Sequence, residues 1–188
     1  MSRIGYQPIN LPTGVEVTID HSTVVISGPK GKLSLSIQPL IKVEIVGGKI
    51  LVKRAKEDKQ SKSLHGLTRA LLNNMVVGVT EGWKKDLELV GIGYRAAATE
   101  DGITLNVGLS HPVNVKAPEG ITFAVLENTK ISVSGIDRNL VGQVAANLRA
   151  IKPPEVYKGK GIRYVGEYVR KKPGKAGKAL GVAGGSAK

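Results

Sequence analysis

The chain has no cysteine, which rules out a disulfide framework, a thiolate metal site and a cysteine nucleophile, and which fits a reducing compartment. Long apolar runs are missing as well. Nowhere does the sequence reach the roughly 18 consecutive apolar residues that a membrane-spanning helix needs. Residues 1–12 also lack the apolar stretch of a signal peptide. The expectation is a soluble, cytoplasmic protein.

Catalytic constellations are absent too. The three histidines, His21, His65 and His111, make neither an H-x-x-x-H pair nor an H-E-x-x-H helix, so they read as satisfied surface or core residues rather than metal ligands. Gly-Lys recurs at Gly31-Lys32, Gly48-Lys49, Gly159-Lys160, Gly174-Lys175 and Gly177-Lys178, yet neither Ser nor Thr follows any of them, which excludes a P-loop. Gly91-x-Gly93 lacks the third glycine of a dinucleotide fingerprint and opens no helix. No G-x-S-x-G elbow occurs, and the sparse acids form no evident pair for acid/base work. No enzyme, metal site or cofactor is expected.

What is present begins with strands. Runs at 15–19, 23–27, 33–37, 42–46 and 49–54 are rich in β-branched residues and alternate, predicting an antiparallel meander. Gly28-Pro29-Lys30-Gly31 separates the second run from the third, and Gly47-Gly48 joins the last two in a tight hairpin. Leu64, Leu67, Leu71, Leu72 and Met75 then recur at helical spacing, predicting an amphipathic helix over about 58–77 that covers one sheet face. A second set follows, with strands near 86–98, 103–109, 113–116, 121–126 and 131–134. A helix starts after Asp137 as its N-cap, carries Leu140, Val141, Val144, Ala145 and Leu148 on one stripe, and stops at Pro153-Pro154.

The halves echo each other. Pro12-x-Gly14-Val15-x-Val17 returns as Pro118-x-Gly120-Ile121-x-Phe123, and Val24-Val25-Ile26-Ser27-Gly28 as Ile131-Ser132-Val133-Ser134-Gly135. The expected fold is α+β, with two duplicated domains at 1–82 and 83–175. Each is an antiparallel or mixed sheet packed on one helix, and a basic carboxy-terminal extension follows. Residues 176–188 hold too little apolar surface to offset ordering and read as a flexible tail. Trp83 reads as a packing residue at the domain junction.

The net charge is +13 for 188 residues, so an acidic polymer or an anionic surface is the expected partner. More than half of that excess sits between residues 152 and 178. There Lys152, Lys158, Lys160, Arg163, Arg170, Lys171, Lys172, Lys175 and Lys178 face only Glu155 and Glu167. Such density repels itself unless a polyanion neutralises it. Tyr157, Tyr164 and Tyr168 are interleaved with the charges, and Gly159, Gly161, Gly166 and Gly174 let backbone amides approach phosphate oxygens. Lys and Arg for phosphates together with rings for bases point to RNA. Tyr94-Arg95, after the glycines of Val90-Gly91-Ile92-Gly93, is a further candidate contact. The smaller cluster of Lys53, Arg54, Lys56, Lys59 and Lys62 is diluted by Glu57 and Asp58 and reads as a solvated strand-to-helix loop. A basic module for anionic membranes is the alternative, but it calls for a basic amphipathic helix, and this segment is rich in glycine and tyrosine instead.

Pro154-Glu155-Val156-Tyr157-Lys158-Gly159-Lys160-Gly161-Ile162-Arg163-Tyr164, with Glu167 and then Arg170-Lys171-Lys172-x-Gly174-Lys175, resembles the carboxy-terminal signature of the family of large-subunit ribosomal protein six, bacterial type. Ser2-Arg3-Ile4-Gly5-x-x-Pro8-Ile9, Ser27-Gly28-Pro29-Lys30-Gly31 and Gly91-Ile92-Gly93-Tyr94-Arg95-Ala96 are similar to the same family. The resemblance implies a duplicated α+β fold whose second domain and extension grip large-subunit ribosomal RNA. It also implies a place near the sarcin/ricin loop and the stalk base, beside neighbouring large-subunit proteins and where translational GTPases dock. Neither DNA nor a membrane is implied as a partner, and the place is a cytoplasmic or organellar ribosome. Carried over by position, Lys158, Gly159, Lys160, Arg163 and Tyr164 lie on RNA, Arg170, Lys171, Lys172 and Lys175 follow its backbone outward, and Tyr94 and Arg95 join them. Lys152, Tyr157 and Gly161 belong to the same patch. Three departures stand out: Val156 where the family commonly has Pro, Tyr6-Gln7 where two lysines are usual, and Pro173 interrupting the last basic run.

Overall fold

The computed structural model describes residues 3–174; Ser2, Lys175, Lys178 and the expected tail at 176–188 lie outside the described residues. The chain forms two compact units. One runs to Lys84 and also takes in Ser134–Val141, and the other consists of Lys85–Val133 and the chain from Gly142 onward.

The first unit is built from β1 (Ile9–Asn10), β2 (Glu16–Asp20), β3 (Thr23–Gly28), β4 (Gly31–Ser36), β5 (Ile41–Val46), β6 (Lys49–Arg54) and α1 (Lys59–Thr80). Instead of one meander, these strands make two antiparallel three-stranded sheets, β2-β3-β4 and β1-β6-β5. The break falls between β4 and β5, where Pro39 has no N–H to donate to a ladder. There Ile37 N–H turns to Ser22 O and Ile41 N–H to Gln38 O. Alternation then does what the sequence predicts: Val24 and Ile26 of β3 and Ile50 and Val52 of β6 point into the core.

α1 begins where its cap residue dictates, the Asp58 carboxylate accepting the Ser61 N–H at 2.6 Å. Its buried face shares Leu72 and Met75 with the predicted leucine stripe, and Leu64 packs against the core, but the rest of the face is different. Leu67 is exposed, and the inner series is Ser61, His65, Thr68, Leu72, Met75, Val76 and Val79. Of the polar residues in its first half, His65 is satisfied, with Nε2 2.8 Å from Val52 O, whereas the buried Ser61 hydroxyl has no hydrogen-bond partner among the described residues. The helix overshoots the predicted end because Val79 packs against β3 at Gly28, where an added Cβ would fall 2.8 Å from the Val79 side chain. Beyond it, the Trp83 ring donates its N–H to Asn74 O at 3.0 Å.

The remaining elements are β7 (Trp83–Val90), β8 (Arg95–Thr99), β9 (Gly102–Asn106), β10 (Val113–Lys116), β11 (Ile121–Leu126), β12 (Lys130–Gly135), α2 (Arg138–Ile151) and β13 (Gly161–Tyr164). They form a β10-β9-β8 sheet and a four-stranded β11-β12-β7-β13 sheet. The single strand predicted over 86–98 is broken at 91–94, where Gly93 adopts a left-handed φ of 79° and Tyr94 N–H closes a turn onto Gly91 O. β7 and β8 therefore enter different sheets. Asp137 accepts the Asn139 N–H at 2.8 Å at the start of α2, and the helix ends two residues before Pro153.

The echo seen in sequence is physical. Gly14 and Gly120 share positive φ values of 87° and 80°, and each sits in the same turn, Val15 N–H to Pro12 O and Ile121 N–H to Pro118 O. Each turn leads into a strand, β2 or β11, that neighbours the next strand in its sheet, β3 or β12. The fold is α+β and duplicated.

Candidate RNA interface

β13 was not predicted as a strand, and it is what fixes the basic segment in place. Antiparallel pairing sets Gly161 opposite Val90, Ile162 opposite Leu89, Arg163 opposite Glu88 and Tyr164 opposite Leu87. Ile162 is fully buried, an anchor of roughly 1.5–3 kcal/mol. Ahead of β13 the chain makes a tight turn. Gly159 N–H donates to Glu155 O, Glu155 N–H donates to Lys160 O, and Gly159 takes a φ of 74°. Gly161 is needed for close approach, since a Cβ there would fall 2.6 Å from Pro154 Cα and 2.7 Å from Pro153 O.

After β13 the chain turns at 165–166 and folds back, so that Lys172 N–H reaches Val156 O at 2.8 Å. Lys171 Cε comes within 3.4 Å of where a Gly159 Cβ would be. Lys158 and Lys160 on the turn, and Lys171 and Lys172 on the returning segment, are thus gathered from two stretches of chain. Because Val90 pairs with Gly161, the turn at 91–94, which carries Tyr94 and leads into Arg95 at the start of β8, leaves the sheet at this same end. The register brings together what the sequence holds far apart.

Within the segment the charges divide into two kinds. Arg163 donates from Nε to Glu88. Glu167 is gripped by Arg149 of α2, and it also accepts the Tyr164 N–H at 3.0 Å. That bond from Arg149 is the main reason the Glu167 carboxyl lies below the usual carboxylate range, against the opposing pull of desolvation, and it raises Arg149 in turn. These pairs shape the surface. In contrast Lys158, Lys160, Arg170, Lys171 and Lys172 have no acidic partner among the described residues, and all are exposed apart from the half-buried Lys160. Lys152 is half-buried at the end of α2.

The rings divide likewise. Tyr94 lies against two glycines: a Cβ on Gly91 would meet its ring at 3.0 Å and one on Gly108 at 3.2 Å. It shapes the loop and leaves Arg95 exposed. Tyr164 is half-buried, with Lys85 Nζ at 5.9 Å and the Arg149 guanidinium at 5.8 Å from its ring centre. Tyr157 is exposed.

Sequence reasoning missed Glu88, Arg149 and Lys85, which position the interface. No local pattern marks them, because each partner is remote in the chain. The smaller basic cluster carries its own counter-ions, with Lys53 on Glu44 at 2.6 Å and both Arg54 and Lys62 on Glu57. Among the described residues no three His, Asp or Glu side chains come together as a metal site, and no helix is long and apolar enough to cross a membrane.

Two α+β repeats, the second carrying a basic surface stapled to its sheet, define a scaffold that presents cations on a strand-paired frame. Comparison with known proteins gives it a family. The sequence profile of Ribosomal protein L6 matches twice, over residues 11–82 and 90–165. The chain is 53% identical over 178 residues to the large ribosomal subunit protein uL6 of Enterococcus faecalis, covering 95% of this chain and 100% of that one. Identity and coverage are the same for the protein of that name from Listeria monocytogenes serotype 4a. For that of Clostridium novyi the identity is 54% over 179 residues, with 95% and 100% covered. The chain belongs to the ribosomal protein L6 family, and it is a structural component rather than an enzyme.

Proposed function

We propose that this chain is a structural constituent of the large ribosomal subunit that binds large-subunit ribosomal RNA through its second repeat. The family resemblance further assigns it to the region of the sarcin/ricin loop, the stalk base and the translational GTPase site, among the proteins neighbouring that base. In this reading residues 1–82 form the first repeat domain and 83–175 the second, which carries the RNA-binding segment in a cytoplasmic ribosome. The observation that carries the reading is the gathering of Lys158, Lys160, Lys171 and Lys172 without acidic partners at the sheet end from which the turn leading into Arg95 departs. Like charges held so close repel one another, and a phosphate backbone relieves that repulsion while releasing its own counter-ions.

Lys158, Lys160, Arg170, Lys171, Lys172 and Arg95 take phosphates in this arrangement. Tyr157 offers a ring, Gly159 keeps the turn low enough for close approach, and Gly161, Arg163, Tyr164, Tyr94 and Lys152 hold the contact surface in shape. Lys175 extends the basic run outside the described residues. The test is a sucrose gradient of cell lysate probed for this chain. One dominant large-subunit peak is expected, and a chain that stays at the top of the gradient overturns the reading.

A further inference from the structure

Tyr168 is the most exposed tyrosine, at 89% of its surface, and it makes no hydrogen bond or ring contact among the described residues. We propose that Tyr168 is a stacking platform for an unpaired base of the RNA held by the basic extension. The inference rests on the RNA-binding reading above and adds to it a residue and a mode of contact.

Of the other tyrosines near the interface, Tyr157 is less exposed, at 56%, and two are engaged. Tyr94 is wedged against Gly91 and Gly108, and Tyr164 has Lys85 and Arg149 at its ring. Tyr168 leaves its ring open to solvent, yet its backbone is held. Glu167 before it is fastened to Arg149, and four residues later Lys172 N–H is bonded to Val156 O. Between these two ties Glu167 and Val169 are half-buried, while Tyr168, Arg170 and Lys171 are exposed. Tyr168 and Arg170, two residues apart, are therefore both open to solvent beside each other in the chain.

A ring for a base beside a guanidinium for the phosphate, repeated along a basic track, is how proteins hold single-stranded nucleic acid without reading its sequence. The ties on either side hold the backbone around Tyr168 before RNA arrives, so less of the chain has to be ordered on binding. A tyrosine serving only solubility would need no such fixation.

The test uses the full chain and deproteinised large-subunit RNA at several salt concentrations. Tyr168→Ala is expected to weaken binding by about 5- to 150-fold, the range for losing one stacked base. The slope of log affinity against log salt stays unchanged, and Tyr168→Phe binds like the parent chain. Equal affinity for Tyr168→Ala and the parent overturns the proposal and leaves the ring to a protein neighbour. An equal loss in Tyr168→Phe overturns it as well, since the hydroxyl rather than the ring face would then be the contact. A chain whose binding depends on Lys158 and Lys160 but ignores Tyr168→Ala sinks the stacking alone, and a parent chain that does not bind RNA sinks both readings.

Discussion

Arg149 and Glu167 meet in a two-pronged ion pair, Nη2 donating to Oε1 at 2.5 Å and Nε to Oε2 at 3.0 Å, which fastens the carboxy-terminal extension to α2. Both side chains are partly shielded from water, and the same carboxylate also accepts the Tyr164 N–H. Arg149→Met is therefore expected to lower unfolding stability by about 1–3 kcal/mol, the range for charge-assisted hydrogen bonds. The pair also sets a pH dependence. Glu167 is held below its unfolded value, so its contribution is complete above that value and is lost as pH falls through the native one. The gap between parent and variant in urea denaturation should be constant above about pH 5 and close at strongly acidic pH. A gap that persists at about pH 2 would show that packing, not charge, holds the extension.

Lys158 and Lys160 lie on a turn and lack acidic partners among the described residues. Changing both to Glu should abolish co-sedimentation with large-subunit RNA while shifting unfolding stability by no more than about 0.5 kcal/mol. Arg163→Glu is different in kind. It would set a carboxylate against Glu88, so thermal unfolding should come earlier and any loss of RNA binding should accompany it. If the lysine pair unfolds the chain, or Arg163→Glu leaves its unfolding unchanged, this division of roles fails.

That division marks the limit of what the chain reveals when read alone. Seven excess charges between residues 152 and 178 are plain in the sequence, but which of them face an acid depends on partners 75 and 18 positions away, Glu88 for Arg163 and Arg149 for Glu167. β13 escaped for the same reason. Its four residues show no decisive alternation, and only pairing with β7 makes them a strand. The duplicated turns at Gly14 and Gly120 were legible because a positive φ at a fixed offset leaves a local mark. The leucine stripe of α1 was legible at Leu64, Leu72 and Met75 but failed at Leu67, because period alone does not reveal that His65 and Thr68 take buried positions on that face.

Salt should report the number of phosphates held. With six acid-free cations, Lys158, Lys160, Arg170, Lys171, Lys172 and Arg95, the slope of log affinity against log salt is expected at about −4.2 to −5.4, about −0.7 to −0.9 for each contact. Lys171→Ala should reduce its magnitude by about one such step. Filter binding across a salt series measures both, and a flat response would remove the electrostatic basis.

Gly161→Ala tests the frame beneath the charges. The added methyl would meet Pro154 Cα and Pro153 O, which are backbone atoms with little room to yield. A loss of about 1–3 kcal/mol is expected from overpacking, with weaker RNA binding because the Lys158 turn shifts. Parent-like stability in chemical denaturation would mean that the two segments can part without cost.

The pairing of β13 with β7 has a thermodynamic consequence. Since Gly161–Tyr164 is already a sheet strand in the chain by itself, capture of RNA is the docking of a finished surface. The ordering entropy of this stretch is met when the protein folds, not when it binds. Calorimetry of the encounter should therefore show only a modest heat-capacity decrement, without the large one that accompanies a segment folding onto its target.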